Sequence, residues 1–422
     1  MKQLEGPAGP VTHDAGQWLT LPDCKKVLFV VHTEVYGQRL RELLPLFESD
    51  LRVQVAYTVA PHAFNRGADR ALNEVGGGVA LPWQEAVNTE FDLALAAGSQ
   101  GMEQVRAPLI RMPHGAGHIK LSRRPGTATG GHGDGERAVG GLGRGYLTFD
   151  GRVVPTALAL AHRADLEVLA RECPEALPIA TVVGDGSFDR IRASLPWRDR
   201  YRAALGLRAG QRLVLVTMTW GQGSSFNRLD ALLPRLVAEL PGDAYRIAVL
   251  VHPNVRAGHG DWQVNAWLAG FRRQGVAVLD AGADWRTHLI AADWIIGDHG
   301  SVTLYGTLTQ AAILLARFPS ADVNPASPGA ELGRAAPALS PAHPLPQQLR
   351  YAAETYPAAE YARIASLISS EPGRFDRRMR DLMYRVLRLG PPAYDPAPGP
   401  LPLPGRLAAA VVDRPGGLGL SA

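Results

Sequence analysis

The sequence predicts an α/β protein of two doubly wound, Rossmann-like domains facing each other across a cleft. Short apolar runs alternate with amphipathic helical segments, the pattern of parallel sheets with crossover helices. The chain has 422 residues, too many for one ordinary core. Three apolar runs, at 107–112, 246–250 and 293–297, lead into turns rich in histidine and glycine. These are Pro113-His114-Gly115 with Lys120 behind it, Val251-His252-Pro253, and Asp298-His299-Gly300-Ser301. In open α/β sheets such strand ends face the ligand crevice.

Taken in order, residues 1–24 lack periodicity and are expected to be a loose lead-in. Residues 26–31 form a short apolar run typical of a first buried strand. Residues 36–47 carry Leu40, Leu43, Leu44 and Phe47 at helical spacing. Strands are expected at 51–59, 91–97 and 109–112, a helix over 155–171 and a strand at 179–183. The segment 122–145 is dominated by Gly, Arg, His and small residues, so it reads as a mobile loop, either a lid or an inert insertion. His132, Asp134 and Glu136 within it read as loop polarity.

A polar helix over 194–206 leads to a second sheet, with strands at 211–218, 245–251, 276–279, 294–297 and 312–318. Helices are expected at 229–239, 262–274, 285–291, 302–310, 357–368 and 375–389. The first domain is therefore placed at 25–190 and the second at 191–370, followed by a C-terminal helix in 371–390. From residue 391 to 422 the Pro and Gly density predicts a disordered tail.

Composition narrows the function. A formal charge of +4 is small for this length, and no basic run resembles a nucleic-acid arm, so nucleic acid is not expected as a partner. No apolar stretch reaches the roughly 20 residues of a membrane span. Residues 1–20 lack the order of a signal peptide. With Cys24 and Cys173 far apart, a disulfide scaffold is not expected. The expected location is the cytoplasm, free or at the inner membrane face. Beyond Lys26 the one lysine is Lys120, which reads either as a placed ammonium or as a leftover surface residue.

The turns suggest phosphate chemistry. Gly300 and Ser301 open a helix whose unpaired N–H groups suit a diphosphate, although Ser301 as a plain N-cap fits the same pattern. The turn Thr219-Trp220-Gly221-Gln222-Gly223-Ser224-Ser225 offers a second Gly/Ser-rich strand end. His252 is read as a histidinium facing a departing phosphate, or as a histidine capping a carbonyl. His114, beside Gly115 and Gly117 that would let backbone approach a ligand, is a candidate general base. His118 and His299 compete for these roles. No metal site is expected, because Asp293 and Asp298 lack ligand spacing. Gly184 and Gly186 do not complete a dinucleotide fingerprint.

Five segments in order resemble the CDP-glycerol glycerophosphotransferases, the teichoic-acid polymerases and primases of GT-B fold. They are His114-Gly115 with Lys120, the turn Val183-Gly184-Asp185-Gly186-Ser187-Phe188-Asp189, the strand end Val216-Thr217-Met218-Thr219-Trp220, His252-Pro253, and Asp298-His299-Gly300-Ser301. The resemblance spans roughly residues 26–320. It implies a GT-B fold, a catalytic His114, and a nucleotide diphosphate held near Gly115, Lys120, Thr219, Gly221, Gly223, Ser224, Asp298, Gly300, Ser301 and Thr303. It further implies a CDP- or UDP-linked donor, a hydroxyl acceptor that is free or lipid-linked, and no cofactor. The chain departs from the family pattern at Pro113, Gly300 and Tyr305. A UDP-N-acetylglucosamine 2-epimerase-like enzyme and a non-catalytic nucleotide-binding protein of the same fold therefore stay open.

Overall fold

The computed structural model of the protein describes residues 21, 23–68, 70, 78–123, 137–394, 396 and 398–407. The expected lead-in thus falls almost wholly outside the described residues, as do 124–136 of the Gly-rich loop and 408–422 of the tail.

The first domain is built on strands buried on both faces. Strand β1 (Lys25–Val31) has its last five residues fully buried, as a central parallel strand covered by helices requires. It is followed by β2 (Val53–Val59), β3 (Val79–Leu81), β4 (Leu93–Ala96) and β5 (Leu109–Arg111). An antiparallel pair, β6 (Leu121–Arg123) and β7 (Arg137–Val139), frames the Gly-rich loop. A small hairpin, β8 (Thr148–Phe149) and β9 (Arg152–Val153), precedes β10 (Ala157–Leu160) and β11 (Ala180–Val182). Among the described residues the main sheet is parallel, in the order β11-β10-β5-β4-β1-β2-β3.

The second domain carries β12 (Arg212–Met218), β13 (Tyr245–Val251), β14 (Ala277–Val278), β15 (Trp294–Gly297) and β16 (Ala312–Leu315), ordered β14-β13-β12-β15-β16 and parallel throughout. Strand order reverses between β1 and β4 in one sheet and between β12 and β15 in the other. Those reversals are the switch points where ligands settle in doubly wound sheets.

Several expectations are corrected. The helix expected over 155–171 is two elements, strand β10 and the helix Ala164–Glu172. Ala157–Leu160 consists of good helix formers, but parallel pairing with β5 and β11 decides its state. The helix expected at 302–310 is the short Ser301–Tyr305 followed by a 3-10 turn. The flanks of the Gly-rich loop are ordered as the β6–β7 hairpin and the turn of helix Arg144–Leu147.

The C-terminal helix Phe375–Leu387 is not a separate unit. Its Phe375, Met379, Leu382, Met383 and Tyr384 join Val27, Phe29, Leu93 and Leu95 in the core of the first domain. Beyond it, the described residues of 391–407 contain neither helix nor strand, in keeping with their Pro and Gly content, yet they lie along the body. Leu401 is 2% exposed, its carbonyl accepts from the buried Tyr201 hydroxyl at 2.9 Å, and its N–H donates to Ser194 Oγ at 2.9 Å. This docking corrects the expected free tail for residues 398–407, and 408–422 lie outside the described residues.

The segment after β5 also crosses over. Ala116 and Ile119 belong to the core of the second domain, with Leu213, Leu215 and Ile295. Asn324 N–H donates to the Ile119 carbonyl at 2.7 Å, and Lys120 forms an isolated antiparallel bridge with Val323. The loop bearing His114 is therefore fastened to the domain it faces.

Candidate active site

A cavity of about 680 Å³ lies between the two sheets, lined from both domains. His114 follows β5, His252 follows β13, and His299 with Gly300 and Ser301 follows β15; all line it. Lys120, Thr219, Asp298, Gly115 and Thr303 line it too, whereas Gly221, Gly223 and Ser224 do not.

Lys120 stands near the middle of this set. Its Nζ lies 4.8 Å from the centre of the Trp220 ring and donates to Thr219 Oγ1 at 3.4 Å. Burial holds its pKa below the ordinary lysine value, against the pull of Asp298 and Asp322.

His252 caps the helix Pro253–His259, its Nδ1 accepting from Asn254 N–H at 3.0 Å. That bond assigns the ring proton to Nε2. Burial first, then Lys120 and His114, lower its pKa to about 3. The expected histidinium is thus replaced by a neutral donor, because burial disfavours the charged ring and the neighbouring Lys120 cation adds to that. His114 is similar: enclosure in the cleft, then Lys120 and Arg111, bring its pKa down to about 3. His114 is nonetheless exposed to the open space of the cavity. His299 is buried, with Nδ1 unpartnered, and burial with Lys120 lowers its pKa to about 4.

Other expected ligand groups are committed elsewhere. The Asp298 carboxylate is 1% exposed and accepts from the N–H groups of Thr219 at 3.0 Å, Ser225 at 2.9 Å and Gly300 at 3.1 Å. Burial pushes its pKa up against those bonds. It ties two strand-end turns together instead of meeting a phosphate. Thr303 is fully buried and its hydroxyl is shared with Thr217 at 2.9 Å. Ser224 Oγ donates to the Gly221 carbonyl at 2.7 Å, closing the turn from within. Gly221 is needed for its φ of 88°.

Gly115 serves a contact other than the expected one. A Cβ there would lie 2.5 Å from Ser301 Oγ, so the close approach is between the two domains. Ser301 is the first helical residue and Gly300 the N-cap, which removes the plain-cap reading of Ser301. Gly117, at φ 59°, packs toward Pro328. His118 donates from Nδ1 to the Gly140 carbonyl at 3.1 Å, holding the hairpin base.

Sequence reasoning missed the wall supplied by the first domain. His32 directly follows β1 and is fully buried, its Nε2 donating to the Gln100 carbonyl at 2.8 Å, and burial lowers its pKa to about 4. Tyr36 packs on His114 with ring centres 4.5 Å apart, and Phe64 packs on Trp220 at 5.1 Å across the cleft. A histidine at the end of the first strand was a legible signal, of the same kind as His114 and His252.

At the base of the cleft a charged cluster joins the domains. Arg39 reaches Asp185 at 2.9 Å and Glu42 at 3.0 Å, while Arg286 pairs with Glu42 and with Asp284 at 2.8 Å. Tyr305, the departure noted in sequence, is buried and donates to Asp185 at 2.9 Å. It faces this cluster, so its identity bears on domain seating. Among the described residues no group of three His, Cys, Asp or Glu side chains gathers at metal-binding distance.

No protein-family model matches the chain, and no curated protein does. Among solved structures it is similar to a variant of the wall teichoic acid polymerase TagF soaked with CDPG, with TM-score 0.57 at 14% identity over 86% of this chain and 88% of that one. TagF itself gives 0.55 at 14% identity over 87% and 91%. Anabaena Alr3699/HepE in complex with UDP-glucose gives 0.49 at 15% identity over 86% and 99%. The TagF likeness shows the fold. The protein has the GT-B architecture that the sequence predicts, two parallel-sheet domains with a cleft between their strand ends.

Proposed function

We propose that the protein transfers a glycerophosphate, polyol phosphate or glycosyl group from a CDP- or UDP-activated donor to an acceptor hydroxyl, without an obligatory metal. The observation that supports this best is the pairing of two neutral imidazoles, His114 and His252, around the Lys120 ammonium in one cavity. A neutral His114 has a free lone pair for the acceptor hydroxyl proton. The acceptor oxygen then bonds to the donor's phosphorus or anomeric carbon as the bond to the departing nucleotide phosphate breaks. His252 Nε2–H donates to that departing phosphate, and Lys120 offsets its growing negative charge. Thr219, Gly300 and Ser301 are assigned to the donor diphosphate.

The acceptor, free or lipid-linked, approaches from the first domain. No helix among the described residues is long and apolar enough to cross a membrane. Transfer is preferred to epimerisation because three of the four carboxylates that line the cavity among the described residues are already bound, the buried Asp298 by N–H groups and the half-buried Glu42 and Asp284 by Arg286. That leaves the exposed Asp280 without a partner carboxylate for proton transfer at carbon. A panel of CDP- and UDP-linked donors, read by mass spectrometry for released CMP, CDP or UDP, tests the reading. His114→Ala is expected to slow release by about 10²–10⁴ while nucleotide affinity persists. Nucleotide binding with no release from any donor points to a non-catalytic protein, and release unaffected by His114→Ala or stopped by EDTA refutes the mechanism.

A further inference from the structure

Arg111 ends strand β5 inside the wall of the cleft and is 5% exposed. Among the described residues it has no carboxylate partner. One Nη donates to the Tyr146 carbonyl, and the Tyr146 ring lies 5.5 Å from the guanidinium carbon. A buried, uncompensated cation is costly. Burial pulls its pKa down to about 10, so it stays charged at neutral pH. Its remaining N–H donors form a planar fork suited to an oxyanion.

A place for such an ion adjoins it. A side pocket of about 330 Å³ shares Ser99, Gln100, Arg111 and Tyr146 with the main cavity. The acid in its lining, Glu103, is exposed and accepts from Gln104 at 3.2 Å. The lining this pocket shares with the cavity belongs wholly to the first domain, which also carries His114, and Ser301 does not line the pocket.

We propose that the acceptor carries an oxyanion of its own, a phosphate or carboxylate set apart from the reacting hydroxyl, and that Arg111 seats it in this side pocket. The assignment to the acceptor rests on the transfer reading above. It has a chemical consequence: Arg111 is one of the cations that hold His114 below its ordinary pKa. An anion on Arg111 cancels part of that repulsion and makes His114 a better base when the acceptor is bound.

Inorganic phosphate is the probe, titrated calorimetrically into the full chain without nucleotide. Arg111→Met and Ser99→Phe, which adds a bulky ring to the pocket lining, should each weaken phosphate binding by at least about tenfold. Arg111→Lys should fall between them and wild type, while phosphate held at the donor subsite should be lost in Ser301→Ala and kept in Arg111→Met and Ser99→Phe. Should Arg111→Met unfold, Ser99→Phe decides. Competition by acetate identifies a carboxylate-tolerant site, and its failure a phosphate site; either supports the proposal. Wild-type phosphate affinity in both Ser99→Phe and a folded Arg111→Met overturns it. The measurement needs no donor and no turnover, so its failure is distinguishable from failure of the donor panel.

Discussion

Gly115→Ala is expected to damage turnover through a contact between the domains. The new Cβ would meet Ser301 Oγ at 2.5 Å and Ser301 Cβ at 3.3 Å. Relaxation to an ordinary contact near 3.4 Å requires a movement of about 0.9 Å, by retreat of the His114 loop or rotation of the Ser301 hydroxyl. Either disturbs the site, since His114 precedes Gly115 and Ser301 opens the helix assigned to the donor. A misplacement of about 1 Å costs about 10²-fold in rate, equivalent to about 2.7 kcal/mol of barrier. The assay is a double-mutant cycle in single-turnover rate with Ser301→Ala, with melting temperature as the control for folding. Ser301→Ala removes the 2.5 Å conflict and leaves the milder 3.3 Å one, so the double variant should be faster than the product of the single effects, with coupling of about 1 kcal/mol or more. Wild-type turnover in Gly115→Ala, or strict additivity in the cycle, would refute the reasoning.

In the proposed reaction Lys120 serves as an ammonium, so activity is expected below its pKa and its loss above it. Because burial lowers that pKa, the alkaline limb of the rate profile should fall below the ordinary lysine value of 10.5. Lys120→Arg should slow the reaction and remove that limb; an unchanged limb in this variant assigns it to another group. Truncation after Pro400 removes the buried Leu401 and Leu407, together worth about 3–6 kcal/mol at 1.5–3 kcal/mol per buried leucine. Chemical denaturation should register this loss, and an unchanged midpoint would show that the docked segment contributes nothing.

The parts of the fold legible in sequence are those where burial leaves a continuous apolar run. Val27 to Val31 and Leu213 to Met218 read as strands because both of their faces are covered. Ala157–Leu160 did not, since a short run of Ala and Leu is equally good helix, and only its non-local partners settle the matter. The same division runs through the site. His114, His252 and Ser301 were legible because strand ends announce themselves by a change from apolar residues to Gly and His. Arg111, Tyr36 and Phe64 were not, because their place beside the cavity depends on which strands become neighbours. The roles of Asp298, Thr303 and Ser224 were misjudged for a related reason. Spacing along the chain reveals a polar group near a crevice, but not the backbone N–H, carbonyl or hydroxyl that already occupies it.

The helix Phe375–Leu387 gives the chain a constraint on its own synthesis. A ribosome finishes β1 to β11 with the inner face of that sheet lacking Phe375, Met379, Met383 and Tyr384. Those side chains emerge only after the whole second domain. The first domain therefore cannot complete its core until the second domain has been synthesised, and its apolar face stays uncovered until then. A fragment ending near residue 190 should be insoluble or unfolded by itself. A tethered design that joins this helix directly behind that fragment is the shorter route to an isolated first domain.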